Sequence, residues 1–134
     1  MKIIYIIGLL LSSGVGIWHF TAPYLYKWYS YIPNAPKEII VSIDYVNYFF
    51  SLLLTGLSII LIILHKEVFS KNKSSVMFYG FLVFVWLNRV IITIILPWPN
   101  NIPFTIGLIS AFSTIFILQL IPLIYILKKN KQDY

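Results

Sequence analysis

The sequence predicts an all-α fold, an integral membrane four-helix bundle, and three observations lead there. The chain of 134 residues is 60% hydrophobic and only 10% charged, with a mean hydropathy of +0.88. A water-soluble domain of this length has too few charges to screen so much apolar surface. The apolar residues gather into four runs, each near the length of about 20 residues that a bilayer requires. The lysines lie at the ends of these runs and form no basic face. The formal net charge of +6 therefore reflects membrane topology, and no nucleic-acid partner is expected.

The first span covers roughly residues 3–20. Lys2 followed by IIYIIGLLL resembles the start of a signal peptide. The apolar run continues through SSGVGIWHF, however, and no A-x-A cleavage pattern follows, so an uncleaved helix is expected. The second span, roughly 39–64, opens after Pro36. The third, roughly 76–96, closes at Pro97, and the fourth, roughly 105–127, begins after Pro103. Connections are short and no repeat or separate soluble domain remains, which leaves one domain, 1–134.

Basic residues set the orientation. Lys66, Lys71 and Lys73 lie between spans two and three, Lys128, Lys129 and Lys131 follow span four, and Lys2 precedes span one. The other face carries only Lys27 and Lys37. The expectation is a multi-pass protein of the cell membrane with both termini cytoplasmic. The outward connections, APYLYKWYSYIPNAP and PWPNNIPF, are rich in aromatic residues and proline. Tyr24, Tyr26, Trp28, Tyr29, Tyr31 and Trp98 suit the headgroup layer, with rings buried and polar tips wet. An interfacial anchor is expected, and a lid over a cavity is the alternative.

Polar residues inside the spans are costly and converge in one half of the membrane. At a rise of about 1.5 Å per residue, Arg89 and Asp44 both lie roughly 10 Å inside the outer ends of their helices. Asn47 is one turn deeper than Asp44, Asn88 adjoins Arg89, and His19 closes the first span. Gln119 lies nearer the inner side and does not join them. Asp44 is the only acid in a span and Arg89 the only base, at matching depth on consecutive helices. An Asp44–Arg89 ion pair completed by Asn47 and Asn88 is the simplest expectation. Such residues also mark ligand or proton sites, so His19, Asp44, Asn47, Asn88 and Arg89 form the candidate polar cluster.

Helical spacing aligns Asp44, Asn47, Ser51, Thr55 and Ser58 on one stripe and Gly8, Ser12, Gly16 and His19 on another. Small residues at this spacing allow close helix packing in lipid. Gly107, Ala111 and Thr114 are expected to do the same in the fourth span, with Pro122 as a kink. The chain has no cysteine, which excludes disulfides, thiol relays and cysteine-bound metals. His19 and His65 lie at opposite faces and cannot share a haem, and no other ligand set is present. No cofactor, metal or catalytic residue is expected, and no hydrolase, phosphate-loop or metalloprotease motif occurs. The NKS sequence at Asn72 falls on the cytoplasmic side, where a glycosylation sequon has no meaning.

The segment GIWHFTAPYLYKWYSYIPNAP resembles the DoxX-like family of small four-helix membrane proteins. The matching elements are Gly16, His19-Phe20 at the end of the first helix, Pro23, and Pro33-x-x-Pro36 before the second. Ser42 and Asn88 match a Ser and an Asn that the family carries in its second and third helices. Ile43 stands where the family has glycine, and a glutamate expected soon after is absent, with Asp44 as a displaced substitute. The resemblance implies an accessory subunit of a membrane redox or envelope complex.

Three functions remain open. The first is that accessory subunit, with an outward polar pocket. The second is a small transporter or channel subunit using Asp44 and Arg89. The third is a lipid-modifying enzyme using His19 or Asp44 as acid–base. The expected partners are the lipid bilayer, with further membrane subunits or a lipid-like ligand; the homo-oligomeric state is left open.

Overall fold

A computed structural model describes residues 1–99 and 101–128. The chain forms α1 (Lys2–Leu25), a 3-10 turn (Trp28–Tyr31), α2 (Lys37–Ile63), a short α3 (His65–Phe69), α4 (Lys73–Ile95) and α5 (Ile102–Lys128). The four long helices are long and apolar enough to cross a membrane, and the protein is a multi-pass membrane protein with an all-α four-helix bundle. Large apolar side chains point outward along the spans, among them Val46 (72% exposed) and Leu53 (69%). Such exposure suits lipid and would be costly in water.

The helix ends follow local chemistry. α1 continues past its expected end, through Pro23. Proline lacks an N–H, so the carbonyl of His19, four residues earlier, loses its helical donor. The Asn47 side-chain amide supplies that bond from α2, at 2.8 Å. α1 ends where Lys27 adopts the left-handed conformation, with φ 49°. Asn72 caps α4 by accepting from the Ser75 N–H. Asn101 accepts from the Phe104 N–H at 3.0 Å, and Pro103 occupies the first turn of α5, where no helical N–H is required.

α1 packs most extensively against α2 and also lies along α5, while α5 packs on α4. α2 and α4 barely touch, although they are consecutive spans. Residues 26–36, 96–99 and 101 lie at one end of the bundle, here the aromatic end. α3, Met1 and Lys128 lie at the other, the lysine end. There α3 turns Val68, fully buried, into the core and sets Phe69 edge-on to Tyr5, with centroids 5.3 Å apart.

Polar bonds tie the helices together in the half toward the lysine end. The Tyr5 hydroxyl donates to the Leu61 carbonyl at 2.6 Å. The Tyr79 hydroxyl donates to the Gln119 carbonyl at 2.6 Å, and the Gln119 amide donates to the Gly8 carbonyl at 3.1 Å. Nearer the middle, the Ser12 and Ser58 hydroxyls lie 2.8 Å apart, and the Trp86 indole N–H donates to Ser12 Oγ at 3.0 Å. Close approach makes this possible. A Cβ on Gly8 would meet Gln119 Cγ at 3.0 Å, and one on Gly16 would fall within 2.9 Å of the Thr55 backbone nitrogen.

The small residues of α5 correct one expectation. Gly107, Ala111 and Thr114 are exposed, and a Cβ on Gly107 would meet nothing. They face away from the bundle and mediate no helix contact within it. The packing surface of α5 is instead its Phe112, Ile115, Gln119 and Ile126 stripe.

Candidate functional site

α2 and α4 make few contacts with each other, and adjoining cavities lie beside them at the aromatic end. One, of about 180 Å³, lies between α2 and α4 over α1, with Phe50, Leu54, Val85 and Ile92 as apolar walls. A second, of about 380 Å³, extends along Ile39, Ile43 and Val46 to Trp28. A third, of about 270 Å³, lies under Tyr26, Trp28, Trp98 and Phe104. His19 and Arg89 line all three.

Each functional side chain is placed by its element. His19 stands in the last turns of α1 and is only 8% exposed. Its ring is edge-on to Phe50, with centroids 5.0 Å apart, and neither ring nitrogen has a hydrogen-bond partner. Arg89 stands on α4 with its guanidinium carbon 4.9 Å from the centre of the Phe112 ring, within cation–π range. Trp28, in the 3-10 turn, is half-buried and its indole nitrogen is also unpartnered. Asn88 lines the first cavity but donates to the Phe84 carbonyl of its own helix at 2.8 Å. Asn47 lines the second while holding the His19 carbonyl.

Asp44 is elsewhere, and the expected Asp44–Arg89 ion pair does not form. Asp44 lines a separate groove of about 440 Å³ between α1 and α2, with Phe20, Pro23, Tyr24 and Tyr48. It accepts a hydrogen bond from the Tyr29 hydroxyl. Burial, and then the bond to Asp44, push the Tyr29 phenol up to about 12. Matching depth on consecutive helices did not bring the charges together, because α2 and α4 are not close neighbours and Asp44 turns toward α1. Among the described residues, Arg89 has neither a carboxylate nor a hydrogen-bond acceptor as partner.

The structure thus gathers His19, Asn88 and Arg89 in one space, places Asn47 at its edge, and leaves Asp44 outside. Trp28 joins as a roof residue, while Tyr24 (74% exposed) and Tyr31 (81%) remain on the surface as anchors. Gln119, set aside on depth alone, is a buried crosslink of α1, α4 and α5. The cavity ends at the Ser12–Ser58–Trp86 cluster. Ser12, Ser51 and Ser58 are fully buried, so among the described residues the polar stripe of α2 is closed at that level. Comparison of the chain with protein-family models, curated proteins and solved structures finds no match.

Proposed function

We propose that this protein is a small accessory subunit of a membrane redox or envelope complex, DoxX-like in kind, that holds a lipid-like molecule in its aromatic-end cavity. In this reading it resides in the cell membrane with both termini cytoplasmic, and the cavity lies in the outer half. The observation that carries it is the meeting of three apolar-walled cavities at two polar side chains, Arg89 and His19, that have no hydrogen-bond partners among the described residues. Concave apolar sites with a few convergent polar groups are the usual form of ligand pockets. An unpaired intramembrane cation is expensive unless a ligand or water compensates it.

The freedom of Arg89 from Asp44 also fits a small transporter, but the closed half below Ser12 and Ser58 favours holding a ligand over passing one. An acid–base enzyme is supported least, since His19 and Asp44 line different cavities. The test is purification in mild detergent, followed by mass spectrometry of the intact assembly. The expected result is a stoichiometric lipid-like ligand and an identifiable membrane partner, with Arg89→Gln losing the ligand and keeping the partner. Recovery of the wild-type chain alone, free of both, sinks the reading.

A further inference from the structure

We propose that the ligand is a single-chain amphiphile with a compact anionic head, which reaches Arg89 sideways from the bilayer through the gap between α2 and α4. The inference rests on the pocket reading above and names the chemistry the pocket selects.

The charge follows from which groups are unpartnered. Arg89 presents five N–H donors and no acceptor, and an indole nitrogen only donates. A histidine ring donates through one nitrogen when neutral and through both when charged. Arg89, Trp28 and His19 together line two of the cavities. Both His19 nitrogens and the Trp28 nitrogen are buried without a partner. Three converging donors, one a fixed cation, match the oxygens of a carboxylate or phosphate.

The tail follows from the walls. Phe50, Leu54, Val85 and Ile92 flank the polar groups between α2 and α4, where the two helices hardly touch. A free inorganic ion would leave that surface unused.

The compact head and sideways path follow from depth and from the roof. Arg89 lies about 9 Å inside the end of α4, and its guanidinium rests on Phe112, about 15 Å inside the end of α5. Above it, the Tyr26, Trp98 and Phe104 rings pack with centroids 5.4–6.3 Å apart. The Trp18 ring adjoins Tyr26 at 5.6 Å. A large headgroup cannot be drawn down through this cluster, whereas a small one slides in with its tail.

The test uses the full chain in phosphatidylcholine nanodiscs, with binding read by native mass spectrometry. The probes are oleate, lysophosphatidic acid, oleyl alcohol and inorganic phosphate. Oleate or lysophosphatidic acid should bind at least tenfold tighter than oleyl alcohol, and the tighter of the two identifies the head as carboxylate or phosphate. Arg89→Gln should abolish the preference while still binding the alcohol. Val85→Phe, which fills the gap and leaves every charge in place, should weaken acid and alcohol alike by tenfold or more. Equal binding of oleate and oleyl alcohol to the wild type overturns the anionic head and leaves the pocket reading standing. Displacement of oleate by inorganic phosphate at comparable concentration overturns the amphiphile. Saturable binding of none of the probes overturns both readings. Unchanged binding to Val85→Phe overturns the sideways path.

Discussion

Toward the lysine end, the hydroxyls of Tyr5, Ser12, Ser58 and Tyr79 all have hydrogen-bond partners. Toward the aromatic end, the His19 ring nitrogens and the Trp28 indole nitrogen are buried without a partner, and among the described residues the Arg89 guanidinium has no hydrogen-bond acceptor. The same four helices produce both situations. Where Gly8 lets α1 approach its neighbours, the Gln119 amide reaches the Gly8 carbonyl, and nearby Ser12 meets Ser58 and Trp86, although Gln119 Oε1 and, beside Gly16, Thr55 Oγ1 stay unpartnered. Where α2 and α4 separate, long polar side chains meet a cavity. Helix association in lipid gains little from the hydrophobic effect, so packing and interhelical hydrogen bonds must supply it. The lysine-end half supplies many of those bonds, which leaves the aromatic-end half free to carry donors whose hydrogen-bonding capacity goes unused within the chain.

Damage to each half in turn should separate the two most strongly. Tyr79→Ala removes a fully buried ring, its packing on Tyr5 at 4.7 Å and its bond to Gln119. The expected loss is about 3–5 kcal/mol, as for other buried aromatic truncations. Arg89→Gln should change stability by less than about 1 kcal/mol, because no ion pair is lost and a poorly compensated charge is removed. Unfolding of detergent-solubilised protein by titrated sodium dodecyl sulfate measures both. Equal damage from the two would mean that Arg89 is structural, and the contrast between the halves would fail.

A smaller effect separates two glycines. Gly16→Ala places a Cβ against the α2 backbone at Thr55, an overpacking that costs about 1–3 kcal/mol. Gly107→Ala meets open space and should be neutral or slightly stabilising, because alanine is the better helix former by about 1 kcal/mol. The same unfolding assay distinguishes them, and a reversed order would show that α5 uses its glycine face within the bundle.

The sequence made the spans legible to within a few residues, because hydropathy runs and flanking lysines report on length and topology directly. It misled at the end of α1, where the apolar run closes near residue 20 but the helix continues through Pro23 to Leu25. Only the three-dimensional placement of Asn47 reveals a substitute donor for the His19 carbonyl. It also concealed α3, since HKEVF is too polar and short to register as more than a connection. Of the candidate cluster, depth was readable but direction around each helix axis was not. His19, Asn88 and Arg89 meet, while Asp44 shares their level and faces another groove. Depth alone likewise set Gln119 aside, although burial makes it a crosslink. Trp28 was visible as an interfacial aromatic residue, and nothing in its neighbours signals that its nitrogen is buried without a partner.

The least conspicuous prediction concerns Asp44, whose partner was misassigned by depth. In a double-mutant cycle, Asp44→Ala and Arg89→Ala should be additive within about 0.5 kcal/mol, as for residues that share no contact. Asp44→Ala and Tyr29→Phe should instead show a coupling of about 0.5–1.5 kcal/mol, the net worth of one hydrogen bond. The pH dependence gives an independent check with a definite sign. The Tyr29 phenol is held near 12, above its ordinary value of about 10, so the neutral, donating form is favoured by folding. Its contribution is complete below pH 10 and is lost as pH rises through 12. Tyr29→Phe should therefore lower stability by a constant amount near neutrality and flatten the profile between pH 10 and 12. An unaltered alkaline profile, together with coupling between Asp44 and Arg89, would restore the buried ion pair. Arg89 would then be neutralised within the bundle and would no longer require an anionic ligand.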